Sequence, residues 1–556
     1  MGGDSETVDR PVASEIKTAS PRKGQSPLVA KLLVVDQVFH WLVWIGGVLY
    51  ALGCFATSST IVTLPQVVPR DFVDGSYGIL RDKDTADEEW YRYSTAIRRF
   101  WHWVLLQPLI SQLLFKKIPE FLPHFYFVYS AIFMLYNLTW TTVLVFLASY
   151  AAFFAAATVG SIVACYVLAL VIVLHSSFPV LGFLKLAYPS NGNVSAFLAQ
   201  VGLSWMAARC LSFSVDFVRQ PERPSAPRLW QTLAYVFYLP SLFTGPLQNY
   251  DGFVAQLNKP RVAWTSGELR GSLLQLGRCL LCFLLLEACL HFCYRKPTPE
   301  VGQLKLLAVL ILCGTLKVTS HRSSALAYYP DLVESLDLPS LLGFGLCLTL
   351  VFFLKYRVLY GFGSAVARLE RIELPPPPKC VHRIHLCSYL WRHFDRGLYL
   401  WIQRYIYQPV VAGQWTLKRR VAGAAASFAF VCSWHGMDRA VVVWCLLNFV
   451  GVSTELLAGF LRGRRPWRGI ERRYLTGIWL RTARAVVTTP HFLFSIFSCL
   501  FFLSNVDVGL IFLRKVILGF PMPLVPLLFV MYCGCHVSMD AMDWDKTGSA
   551  DSSKHL

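Results

Sequence analysis

The most restrictive feature of this 556-residue chain is a succession of long apolar runs almost free of charge. Val34 to Ala56, Phe125 to Ala155, Ser161 to His175, Leu273 to Phe292, Leu304 to Val318, Leu341 to Leu354, Val441 to Phe460 and Phe492 to Leu503 are the clearest. Several reach the ~20 residues that carry a helix across a hydrocarbon core about 30 Å thick. In such a core only helices and closed barrels satisfy every backbone polar group. The pattern therefore predicts an all-α, multi-pass membrane protein with roughly ten to twelve membrane segments, the shorter ones re-entrant or broken.

Charge is explained by the same pattern. The formal net charge of +19 would suggest nucleic acid in a soluble protein, but here Lys and Arg fall in short stretches between apolar runs. That is the positive-inside distribution, and it implies membrane lipid rather than nucleic acid as the partner. Arg462, Arg464, Arg465, Arg468, Arg472 and Arg473, with Lys418-Arg419-Arg420 and Lys355/Arg357, are assigned to the cytosolic face. Residues 1–30 read as a polar, disordered cytosolic tail without a cleavable signal, and 31–63 as the first membrane segment. Residues 64–100, with the acidic run Asp82 to Trp90, read as a luminal loop or interfacial region, 101–540 as the core, and 541–556 as a tail. The prolines of Leu374 to Pro378 predict an extended cytosolic connector. Pro and Gly at Tyr238-Leu239-Pro240 and Thr244-Gly245-Pro246 break an otherwise helical stretch, which points to a chamber inside the bundle.

Ionisable groups inside apolar runs are costly, so each is a functional candidate. His102, His124 and His491 have aromatic or Pro neighbours, and interfacial packing accounts for them. His435 differs. It ends the run Phe428-Ala429-Phe430-Val431-Cys432-Ser433-Trp434-His435-Gly436, where small residues permit close helix approach and Gly436 removes bulk beside the imidazole. Asn448 lies in the next apolar run, with Glu455 toward its end. Upstream, Trp391-Arg392-His393-Phe394-Asp395-Arg396-Gly397 reads as an amphipathic interfacial helix, in which Asp395 is either a functional acid or an ion-pair partner of Arg392 or Arg396.

These runs resemble the two signature regions of the membrane-bound O-acyltransferases. The similarity is strongest to the branch that acylates hedgehog-type proteins, and it is carried further by Gly78 to Trp90, Leu233 to Pro240 with Gly245-Pro246, and Pro378-Lys379-Cys380. The resemblance implies an all-α fold with re-entrant segments around a tunnel. It implies acyl-CoA, palmitoyl-CoA in particular, as co-substrate, and a secreted protein with an N-terminal Cys as acceptor. It places the reaction in the endoplasmic reticulum membrane or the Golgi. It assigns His435 and Asp395 to catalysis, Trp391, Arg392 and Asn448 to the substrate path, and Cys380 to a haem iron. An inactive relative in the superfamily lacks the histidine that this chain keeps.

On that reading His435 accepts the proton of the attacking amine, Asp395 orients or supports it or exchanges roles with it, and Asn448 or Arg392 donates to the oxyanion. Topology poses a difficulty. His435 lies toward the luminal end of its helix while Asp395 starts on the cytosolic side, so only a folded-in helix or a thinned chamber unites them. A serine or lipid acceptor on the same fold, a transporter, and a non-catalytic regulator are the alternatives.

Overall fold

A computed structural model describes the chain except residues 1–26, 59–71, 74–82, 176–178, 190–192, 223, 260–263, 293–328, 476 and 553–556. Residues 1–26 of the expected tail, Gly78 to Asp82 of the run Gly78 to Trp90, and the apolar run Leu304 to Val318 lie outside the described residues, while residues 27–30 of that tail are helical. The principal helices are α1 (Pro27–Thr57), α2 (Glu88–Lys117), α3 (Leu122–Asn137), α4 (Trp140–Val159), α5 (Ile162–Leu174), α6 (Asn193–Val218), α7 (Leu229–Val236) and α8 (Ser266–Phe292). The second half contributes α9 (Leu338–Leu369), α10 (Cys387–Phe394), α11 (Arg396–Ile402), α12 (Leu417–Trp434), α13 (Arg439–Arg462), α14 (Arg465–Tyr474), α15 (Ile478–Leu503) and α16 (Leu524–Ser552). Phe72–Val73 and Lys83–Asp84 pair antiparallel as two-residue strands β1 and β2. Among the described residues, eight helices are long and apolar enough to cross a membrane: α1, α4, α6, α8, α9, α13, α15 and α16, while α5 is a shorter apolar helix.

Local chemistry sets the helix ends. Asp87, Thr139, Ser161, Asp395, Thr416 and Asp438 each accept a hydrogen bond from a backbone N–H of the first turn that follows. Helix α2 runs unbroken through residue 100, and α16 through residue 540, so both expected boundaries fall inside helices.

Helix α9 is the mast of the fold, packing against α1, α2, α8 and α15. One sequence expectation is corrected along it. Lys355 is not on the cytosolic face: it lies buried midway along α9, with Nζ 2.9 Å from Asp87 and 2.8 Å from Glu89. The proline segment is extended, as expected, and packs partly exposed against α9. It runs back along α9, where Ser364 Oγ donates to Pro375 O (3.2 Å), Arg357 Nη1 to Pro378 O (3.1 Å), and Thr349 Oγ1 bonds His382 Nε2 (2.9 Å). From 349 to 364 the helix rises about 22 Å. From 375 to 380 an extended, polyproline-type strand covers about 15 Å, and the turn Val381–Arg383 brings His382 to Thr349.

The break at Tyr238 to Pro240 is packed in protein rather than opening a chamber, with all three residues almost fully buried. Buried Arg209 satisfies the carbonyls the break exposes, donating from Nη1 to Val236 O (3.1 Å) and from Nη2 to Ser241 O. Thr244, just beyond, does reach the large cavity described below.

Candidate active site

The returning strand delivers α10 into the interior. There α10 runs antiparallel to α13: Ser388 N donates to Glu455 Oε1 (3.2 Å), and one turn on Trp391 Nε1 donates to Asn448 Oδ1 (2.9 Å) and packs on Trp444 (5.3 Å between ring centroids). Helix α10 is thus folded in against α13.

His435 terminates α12. Gly436 follows with φ +96° and Met437 with φ +59°, while Met437 N bonds back to Cys432 O (3.2 Å), closing the helix end. A Cβ at Gly436 would meet nothing within 4 Å, so glycine is required there by its positive φ and not, as the sequence suggested, to make room beside the imidazole. The His435 ring stands edge-on to Trp444 (5.5 Å) and Phe502 (5.1 Å). It has no hydrogen-bond partner among the described residues, so its nitrogens are free for a substrate.

Asp395 caps α11 by accepting from Leu398 N (2.9 Å, Oδ1), and it accepts from Tyr360 OH of α9 (2.7 Å, Oδ2). Its hydrogen bonds thus go to Leu398 and Tyr360 rather than to Arg392. Arg392 instead lies over the Tyr399 ring (5.8 Å), with its Nε buried and unpartnered. An aromatic chain joins the two functional groups: Phe394 stacks on Phe352 (4.9 Å), Phe352 meets Phe502 (5.7 Å), and Phe502 meets His435. Gly397 makes the α11 approach possible, since a Cβ there would sit 2.2 Å from Leu247 O.

Asn448 is saturated. Its Oδ1 accepts from Trp391 Nε1 and Cys387 Sγ (3.2 Å), and its Nδ2 donates to Trp444 O (2.8 Å) and Ser498 Oγ (3.3 Å). No amide hydrogen remains for an oxyanion, so Asn448 positions Trp391 instead of donating to the reaction.

His435, Asp395, Trp391, Arg392 and Asn448 all line one cavity of about 2750 Å³. Its wall also contains Glu89, Tyr356 and Tyr360, which sequence reasoning did not place in the site. Tyr356 OH donates to Glu89 Oε1 (2.9 Å), and Glu89 holds Lys355. The available signal was Lys355 itself, a charge inside an apolar helix. At the other end the cavity reaches Arg462, Trp467, Ile470, Glu471 and Arg484. Glu471 itself lies outside the spans, and the hydrogen bond from Arg462 is the largest influence holding its carboxyl below the ordinary range; burial opposes it, and Arg484 adds to the lowering.

Cys380 caps the turn Val381–Arg383 and does not line this cavity, although Lys379 and Val381 on either side of it do. An axial haem ligand has to face a slot that admits the macrocycle. Nothing among the described residues supports a haem at this sulfur.

Residues 185–498, more than half of the chain, match the membrane-bound O-acyltransferase family. A protein-cysteine N-palmitoyltransferase HHAT-like protein of Mus musculus is 28% identical over 466 residues, covering 82% of this chain and 84% of that one. The protein-cysteine N-palmitoyltransferase HHAT of Mus musculus is 29% identical over 346 residues, covering 60% and 64%. The protein-cysteine N-palmitoyltransferase Rasp of Drosophila melanogaster is 26% identical over 343 residues, covering 62% of each. With a helical membrane fold, a histidine and an aspartate on one interior cavity, and this match across their segment, the chain belongs to the membrane-bound O-acyltransferase family and is a multi-pass membrane acyltransferase.

Proposed function

We propose that the chain transfers a long-chain acyl group, palmitoyl from palmitoyl-CoA, to the N-terminal cysteine amine of a secreted hedgehog-type protein, in the endoplasmic reticulum membrane or the Golgi. The observation that carries the reading is the single cavity joining His435 and Asp395 to a basic mouth at Arg462 and Arg484. The names of the mouse and fly relatives support the protein-cysteine acceptor.

The acceptor nitrogen attacks the thioester carbon, a C–N bond forms, and the C–S bond breaks to release the CoA thiolate. An α-amino group has a pKa near ~8, so an imidazole can take its proton at neutral pH. His435 is the general base: its ring lines the cavity beside Trp444 and Phe502, with no hydrogen-bond partner among the described residues. It then returns the proton to the leaving thiolate. Asp395, fixed by Tyr360 and Leu398, supplies a negative charge that favours the transient imidazolium. The aromatic walls exclude the water that would otherwise hydrolyse the thioester.

The test is incubation of purified protein with labelled palmitoyl-CoA and peptides that differ only in whether the terminal amine is free or acetylated. Stable labelling of the free peptide alone, lost in His435→Ala, is expected. Labelling of the blocked peptide through a serine hydroxyl would replace the amine acceptor with an O-acyl one, and full turnover by His435→Ala would remove that residue from the mechanism.

A further inference from the structure

Among the histidines that line the cavity besides His435, one, His491, is held by a carboxylate and is not used by the reaction. On α13, Glu455 lies eleven residues beyond Trp444, about 16 Å deeper toward the basic mouth, and seven residues short of Arg462, about 10 Å further. Its carboxylate receives three donors: His491 Nε2 (2.6 Å) and Ser388 N (3.2 Å) on Oε1, and Ser388 Oγ on Oε2. All three residues line the cavity. The carboxylate is satisfied and cannot itself be waiting for a ligand. What it does is fix the ring of His491 through Nε2, which leaves Nδ1 as the ring nitrogen turned away from the carboxylate. Nδ1 has no partner among the described residues, and it is not one of their buried orphan atoms, so it opens on the cavity.

We propose that Ser388, Glu455 and His491 form a polar site that binds the amide-bearing pantetheine arm of the acyl donor, midway between the basic mouth and His435. The inference rests on the donor half of the functional reading, acyl-CoA, and not on the identity of the acceptor. The chemistry selects the ligand. A ring nitrogen in a wall flanked by Val452, Leu456 and Val487 calls for an amide, whose N–H or C=O can meet it, and which a fatty chain lacks and a pantetheine arm carries twice. Its depth selects the same molecule. With the thioester at His435 and the phosphates among Arg462 and Arg484, only the arm between them passes His491. The acceptor peptide also has amides, but its reactive end stops at His435.

The experiment uses the full chain in lipid nanodiscs and measures equilibrium binding of a non-hydrolysable palmitoyl-CoA thioether. The control ligand is S-palmityl-2-mercaptoethanesulfonate, which has an anionic head and no amide. His491→Ala is expected to weaken the CoA thioether about tenfold, the scale of one hydrogen bond, and to leave the control ligand within twofold. His491→Asn, which keeps a short polar group that can accept at that place, should recover most of the loss. Equal weakening of both ligands would mean that the cavity had merely collapsed, and no weakening of either would mean that the ring touches nothing; each result overturns the proposal. Wild-type protein that fails to bind the CoA thioether overturns it together with the donor reading. Differential binding without acylation of any cysteine peptide leaves this site standing and removes only the acceptor assignment.

Discussion

Replacing Lys355 by Met keeps the length of the side chain and deletes its charge. In the native protein the ammonium lies 2.9 Å from Asp87 and 2.8 Å from Glu89, with the lysine side chain 7% exposed. Removing one partner of a buried ion pair costs about 3–5 kcal/mol, because the remaining charge stays where water cannot reach it. Here the carboxylates retain 21% and 37% exposure, so solvent relieves part of the penalty and the low end, about 3 kcal/mol, is expected. The triple variant Lys355→Met, Asp87→Asn, Glu89→Gln removes all three charges. It should regain most of the loss, because the asparagine amide oxygen still caps α2 as the Asp87 carboxylate does. The buried thiols Cys165, Cys210 and Cys533 report unfolding through a thiol-reactive dye during heating in detergent. A single variant as stable as wild type, or a triple variant no better than the single one, would refute the account of Lys355 as a charge held mainly by its two acids.

Tyr360→Phe removes the 2.7 Å bond to Asp395 and should lower turnover about tenfold with expression unchanged, and an unaltered kcat would detach Asp395 from its proposed support. Gly397→Ala drives a Cβ into the Leu247 backbone and should cost about 2–3 kcal/mol, whereas Gly53→Ala, with nothing within 4 Å, should be neutral by the same thermal assay. The Glu471 carboxyl is held low by Arg462, so its stabilising contribution is present above the ordinary glutamate pKa of about 4.3 and is lost as pH falls through its lowered native value. The stability gap between wild type and Glu471→Gln should thus be constant from pH 8 to about 5 and close only in more acid buffer; a gap that closes near neutrality would contradict the sign.

Some of this protein was determined by sequence alone. Apolar runs with few charges left helices as the spanning structure, and His435 stood out because an imidazole inside such a run needs a reason to be there. The resemblance of residues around Trp391 and His435 was legible because each motif is contiguous. What sequence could not decide was depth. Local pattern shows that Leu374 to Pro378 is extended, but only packing shows that it turns back along α9 and carries Asp395 inward. Similarly, Lys355 read as cytosolic because positive charge counts outward until a buried partner is known, and Asp87 and Glu89 lie more than 260 residues away in the chain. The Glu455 and His491 pair is the same case, since neither residue has meaning until α13 and α15 are side by side. Helix-forming and membrane-crossing tendencies are short-range properties of composition. A reaction chamber depends on which distant groups neutralise or satisfy each other, and that is settled only when the helices pack.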